Sequence, residues 1–168
     1  DGMICVKGRP VLNTADILLP GVHNIENYMA AITAVDGLVA DEVICEYAKT
    51  FGGVEHRIEL VRELDGVRYY NDSIASSPTR TIAGLKAFNQ KVHLIAGGYD
   101  KHIPFEPMVP YIIEKVEKLY LCGNTAEKIK NAVIKNENYK GSPEIFMLEN
   151  IEEAVNKAYS LTNKGDVV

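Results

Sequence analysis

Three segments of this 168-residue chain combine small residues with groups that donate, accept or carry charge. The first is Asn71-Asp72-Ser73-Ile74-Ala75-Ser76-Ser77-Pro78, which leads into a helical stretch from Thr79 to Phe88. The second is Gly97-Gly98-Tyr99-Asp100-Lys101-His102, and the third is Gly123-Asn124-Thr125. Such segments suit a phosphate or a carboxylate. Glycines let backbone N–H groups approach an anion, while hydroxyls, amides and lysine add donors. Each segment also has a plainer account. Ser76 or Ser77 could cap a helix, Gly97-Gly98 could turn the chain, and Lys101 could be a solvated loop lysine. For Gly123-Asn124-Thr125 the plainer account is preferred.

Other chemistries find little support. No GxxxxGK[ST] loop occurs, and no GxGxxG follows a strand, which disfavours a self-contained P-loop or dinucleotide enzyme. His23, His56, His93 and His102 are dispersed without metal-ligand spacing, and no metal site is expected. His93 falls in an apolar strand and reads as a core residue. Cys5, Cys45 and Cys122 are odd in number and lack a CxxC pair. That pattern points to a reduced, cytoplasmic setting.

The elements that must position these residues follow from periodicity. Met3 to Val6 and Val11 to Asn13 read as strands around the turn-rich Lys7-Gly8-Arg9-Pro10. Ile25, Tyr28, Met29 and Ile32 fall at helical spacing, with Asn24 as the predicted N-cap. Asp41 is predicted to cap a second helix that ends at Gly52-Gly53, a candidate hinge. Ile58 to Leu64 and Val67 to Tyr70 flank Asp65-Gly66, which predicts a hairpin with a type I′ turn. Strands at Val92 to Ala96, Leu119 to Cys122 and Glu144 to Leu148 then alternate with helical stripes. Those stripes are Val109/Ile112/Ile113/Val116, Ala126/Ile129/Ala132/Val133 and Ile151/Ala154/Val155/Ala158. A βαβα order predicts an α/β fold: a Rossmann-like, mostly parallel sheet with flanking helices on both faces, preceded by a short α+β part. The expected domains are 1-54 and 55-168. In such a sheet ligands bind beyond the carboxyl ends of the strands, where all three polar segments fall.

Composition sets the outer bounds. There are 18 Lys+Arg against 23 Asp+Glu, for a net charge of -5, and 46% of residues are hydrophobic. The chain is therefore globular, and no electrostatic drive toward nucleic acid or an anionic membrane exists. No apolar run approaches the roughly 20 residues of a membrane span. No basic region followed by an apolar core opens the chain, so no secretory signal is expected. The chain starts at Asp1 inside an apparent strand and stops where Asp166-Val167-Val168 begins another. A piece of a longer protein is expected.

Four motifs in order carry a resemblance. Gly21-Val22-His23-Asn24-Ile25-Glu26-Asn27 followed by Ala30-Ala31 resembles the GxHNxxNxxAA segment of the Mur ligases. His56-Arg57-Ile58-Glu59, Asn71-Asp72-Ser73 and Gly97-Gly98-Tyr99-Asp100-Lys101 resemble later motifs of the branch of that family that adds D-glutamate. The resemblance spans the whole chain. It implies that residues 1-54 are the end of a central ATP-binding domain and 55-168 most of a Rossmann-like amino-acid-binding domain. It implies ATP and Mg2+ as cofactors, and UDP-N-acetylmuramoyl-L-alanine and D-glutamate as substrates joined through an acyl phosphate in peptidoglycan synthesis. A monomer is expected.

Position by position, the resemblance assigns Asn24 and Asn27 to the adenine, Arg57 to the nucleotide and Asp72 to the ribose. It assigns Ser76 and Lys101 to the D-glutamate carboxylates. No catalytic residue is expected here, because the family's phosphate loop, catalytic glutamate, magnesium ligands and carboxylated lysine would lie upstream. This piece alone is expected to be inactive. Read without the resemblance, Asn24 and Asn27 are a helix cap and an exposed amide, Arg57 a surface charge, and Asp72 a helix cap. One position departs from the family: Ile74 stands where a substrate-side lysine is usual and supplies no charge, which would throw more anion binding onto Lys101. Alternatives are another enzyme of the superfamily, such as a folylpolyglutamate synthase, or a non-catalytic α/β binding module.

Overall fold

A computed structural model describes residues 2–168; Asp1, read with the first strand, lies outside them. The chain divides into two compact units, one ending at Glu55 and the other spanning His56–Val168.

In the first unit, β1 (Met3–Val6) pairs antiparallel with β2 (Arg9–Asn13). The turn is shorter than the composition of residues 7 to 10 suggests. Lys7 and Gly8 alone turn the chain, both at positive φ, and Arg9 and Pro10 already belong to the strand. Helices α1 (Val22–Ala34) and α2 (Asp41–Thr50) cover this ribbon. Ile4, Val6, Val11 and Leu12 pack with Tyr28, Ile32 and Ala48. Neither predicted side-chain cap forms. Gly21 is the N-cap of α1, and Asn24 lies three residues inside, buried. Ala40 is the N-cap of α2, while Asp41 sits in the first turn and pairs with Arg9. The pairing wins because β2 places a guanidinium beside the helix start, where a carboxylate is also favoured by the helix dipole. Asp36 takes Lys7 at 3.1 Å and Arg9 at 2.9 Å. The Lys7 hydrogen bond is the main reason its carboxyl is held below the usual range. Gly53 packs against Leu19, inside this unit.

The second unit opens with the predicted hairpin, β3 (Glu59–Leu64) and β4 (Val67–Asn71). Asp65 (φ 53°) and Gly66 (φ 77°) have the positive φ values of a type I′ turn. Strands β5 (Val92–Gly97), β6 (Val116–Cys122) and β7 (Glu144–Met147) form a parallel sheet in that order. Its crossovers carry α4 (Val109–Lys115) and α5 (Ala126–Lys135). The connection from β4 to β5 carries α3 (Pro78–Lys86), and α6 (Ile151–Leu161) follows β7. Val116, read as the end of a helical stripe, is instead the first residue of β6. A buried Val suits either element, so its periodicity could not decide.

Alternation along β6 sorts the helices to two faces. Leu119 and Leu121 pack with Leu85 of α3, Val109 and Ile112 of α4, and Ile129 and Val133 of α5. Tyr120, one residue out of step, packs with Ala154 and Ala158 of α6. The last three residues join the hairpin to the sheet. Arg68 N donates to Asp166 O, Tyr70 N to Val168 O, and His93 N to Val167 O at 2.8 Å. Val167 thereby bridges β4 in parallel and is buried.

His93 is the core residue its strand suggests. It is 4% exposed, with Nδ1 2.9 Å from the Tyr120 hydroxyl and Nε2 3.6 Å from the Asp166 carboxylate. Burial pushes its pKa down against the pull of Asp166. Since the folded imidazole binds its proton less readily than the unfolded one, stability is complete above the unfolded value of about 6.5 and falls as pH drops through it. An NMR titration should place the His93 midpoint below the ordinary imidazole value of about 6.5. The melting temperature should drop less between pH 7 and 5 in His93→Gln than in the parent.

Candidate functional site

The loop from the end of β4 to α3 folds tightly on itself. Ser73 N donates to Asn71 Oδ1 (3.0 Å), Ala75 N to Asp72 O (2.8 Å) and Ser76 N to Ile74 O (2.8 Å). Pro78 starts α3, where its missing N–H costs nothing. Ser77 occupies the N-cap with extended backbone, yet its hydroxyl makes no capping bond.

One side of the loop holds the start of the unit. Asp72 Oδ1 accepts from Ile58 N (3.2 Å), Ile74 N donates to His56 O (3.2 Å), and Asn71 Nδ2 donates to His56 Nδ1 (2.8 Å). Glu59 Oε2 accepts from His56 N (2.8 Å). These bonds fix an unfavourable backbone, since His56 (φ 65°) and β-branched Ile58 (φ 46°) both lie in the left-handed region. Arg57 stands between them, exposed and without an ion-pair partner among the described residues. Asp72 is therefore a brace for the Arg57 segment and not a helix cap. It also lies against α3: a Cβ at Gly84 would come within 2.9 Å of its Oδ2.

The other side of the loop meets the second polar segment. Lys101 Nζ donates to Ser76 Oγ at 2.8 Å, joining residues from two different strand ends. The path of that segment depends on Gly97 (φ 144°), where a Cβ would sit 1.7 Å from Cys122 O. Gly98 N then donates to Cys122 O (3.2 Å), and buried Thr125 donates its hydroxyl to Gly98 O (3.3 Å). The third segment thus serves to hold the second. Asp100 accepts from His102 N (2.8 Å) and pairs with Lys128 of α5. The Lys128 bond, foremost, holds its carboxyl below the usual range. With Asp100 so engaged, Lys101 is exposed and has no carboxylate partner among the described residues.

Asn24 and Asn27 belong to the first unit and meet each other. Asn24 Nδ2 donates to Pro20 O (2.8 Å), and its Oδ1 accepts from Asn27 Nδ2 (3.3 Å). Asn24 is buried and orients the exposed Asn27. Sequence reasoning singled out the segments holding Asn71 and Thr125 without their bracing bonds, and it missed Gly84, Lys128 and Arg80, whose Nη1 donates to Ile74 O at 3.1 Å. A glycine inside a helix was the one signal available for Gly84. Among the described residues no group of three or more His, Cys, Asp or Glu gathers to hold a metal.

Residues 56–168 match the family model of the Mur ligase, glutamate ligase domain, and the chain belongs to the Mur ligase family. It is 52% identical, over its full length, to the UDP-N-acetylmuramoylalanine--D-glutamate ligase of Clostridium beijerinckii, covering 37% of that protein. It is 55% identical over 94% of its length to the enzyme of the same name from Acetivibrio thermocellus, covering 34% of that protein. The chain thus spans little more than a third of the curated relatives it matches. Among solved structures it resembles UDP-N-acetylmuramate-alanine ligase of Thermotoga maritima (TM-score 0.68, 17% identity), covering 90% of this chain and 34% of that one. It also resembles folylpolyglutamate synthase of Mycobacterium tuberculosis (TM-score 0.65, 15% identity), covering 86% of this chain and 34% of that one. At these identities the likeness speaks for the fold alone.

Gly97→Ala should destabilise the chain by about 3 kcal/mol or more, seen as an early urea midpoint, because backbone cannot yield as a side chain can. Asp72→Ala should cost about 1–3 kcal/mol and speed hydrogen exchange at the Ile58 amide, which loses its acceptor.

Proposed function

We propose that this chain is part of an ATP-dependent cytoplasmic ligase that joins D-glutamate to UDP-N-acetylmuramoyl-L-alanine in peptidoglycan synthesis. On this reading residues 1-54 end the ATP-binding domain and 55-168 bind the amino acid. The observation that carries it is the Lys101–Ser76 contact. Two residues assigned to one dianion come from separate strand ends and touch, and Lys101 has no carboxylate partner among the described residues. The names of relatives about half identical across the chain supply the substrate.

The chemistry available to these residues is binding and orientation. Lys101 donates one N–H to Ser76 Oγ and keeps two for a ligand. Ser76 accepts from Lys101 through its oxygen and keeps its own O–H available as a donor. Together they offer a carboxylate a charge-assisted bond and a neutral one. Arg57, exposed and without an ion-pair partner among the described residues, suits a nucleotide phosphate or ribose, with Asp72 holding the backbone of its segment. Asn27, oriented by Asn24, offers an amide to adenine. When bound, ATP supplies the phosphoryl group that activates the acceptor carboxylate. On this reading the magnesium ligands lie outside the described residues, which gather no group of three or more His, Cys, Asp or Glu.

In the full-length enzyme, phosphate release from ATP in the presence of UDP-N-acetylmuramoyl-L-alanine should depend on D-glutamate. Lys101→Ala should raise the D-glutamate KM roughly 10- to 100-fold, as expected for a lost charged hydrogen bond, with the ATP KM little changed. An unchanged D-glutamate KM would remove Lys101 from the site.

A further inference from the structure

We infer that Arg80 is a further specificity-determining residue that binds a carboxylate of the incoming amino acid. This rests on the amino-acid site proposed above. Arg80 lies in the first turn of α3, and its Nη1 donates to the carbonyl oxygen of Ile74 at 3.1 Å. The same oxygen accepts from Ser76 N at 2.8 Å. The guanidinium nitrogen is therefore within about 6 Å of the Ser76 backbone nitrogen. Ser76 in turn receives the Lys101 ammonium on its hydroxyl. Two cations from different elements are thus anchored to one three-residue stretch.

Neither cation is neutralised. Arg80 and Lys101 are exposed, and neither forms an ion pair among the described residues. The nearby acids are committed elsewhere: Asp72 to the Ile58 amide, Asp100 to Lys128 and the His102 amide. Arg80 spends one of its five N–H groups on Ile74 and retains a fork that fits a carboxylate through two bonds. Ile74 is itself 47% exposed and brings no charge. A chain of net charge -5 that anchors two positive groups to residues 74 and 76 of one loop is built to receive an anion with more than one acidic group. Lys101 with Ser76 takes one carboxylate and Arg80 the other.

Steady-state kinetics on the full-length enzyme test this with Arg80→Gln, which can still donate to Ile74 O, and Arg80→Lys, which keeps the charge. Arg80→Gln should raise the D-glutamate KM at least tenfold while kcat and the ATP KM change less than threefold. Arg80→Lys should recover most of the loss. The preference for D-glutamate over its side-chain amide, D-glutamine, should shrink in Arg80→Gln. A D-glutamate KM within twofold of the parent in Arg80→Gln overturns the inference. So does an equal loss in kcat and in both KM values that Arg80→Lys fails to rescue, since that marks a purely structural brace. Failure of the underlying reading looks different: the parent enzyme itself would show no D-glutamate-dependent phosphate release.

Discussion

The second unit depends on where the hydrogen bonds of residues 71–77 go. This loop cannot satisfy itself alone. Its Asp72 carboxylate and Ile74 amide bond to residues 56–58 on one side, and its Ser76 hydroxyl receives Lys101 on the other. A short irregular segment would otherwise sample many conformations. Bonds in two directions reduce those to one, and they pin two left-handed residues, His56 and Ile58, that no local preference supports. Arg57 and Lys101 are 44 residues apart in sequence, yet both take their positions from this loop.

The sheet makes that possible. Alternation along β6 puts α3, α4 and α5 on one face and α6 on the other, so helices cover both faces and the polar segments fall at the strand ends. At those ends backbone must pass backbone. Gly97 is there because any side chain would occupy the space of Cys122 O, and Thr125 holds the chain that follows. Apolar packing within the sheet and polar contact at its rim are in this sense a single construction.

Much of this was legible in the sequence, for identifiable reasons. The hairpin could be read because Asp65-Gly66 has few alternatives to a type I′ turn. The parallel sheet could be read because buried strands and amphipathic helices differ in period. The convergence of Ser76 and Lys101 could be expected because both follow strands. Caps were less legible. Asn24 and Asp41 are good N-cap types, but Pro20 O and Arg9 offered better partners from outside the helix, and long-range bonds displaced the local preference. The role of Arg80, and the bond made by Thr125, were invisible for the same reason: each acts on a backbone carbonyl that only the folded chain brings near.

The charge distribution at the rim follows from the same accounting of partners. Carboxylates are present there, but each is used to build: Asp72 receives a strained amide, and Asp100 ties the 100–102 turn to α5 through Lys128. The cations are treated differently. Among the described residues Lys101 bonds to a hydroxyl and Arg80 to a carbonyl, partners that orient a cation without cancelling its charge. Orientation without neutralisation is what an anion site requires, because a side chain locked in an ion pair would have to break that pair before it could bind. Using the acids on backbone and helix therefore leaves the positive groups placed, unspent and facing solvent, even though the chain as a whole is acidic.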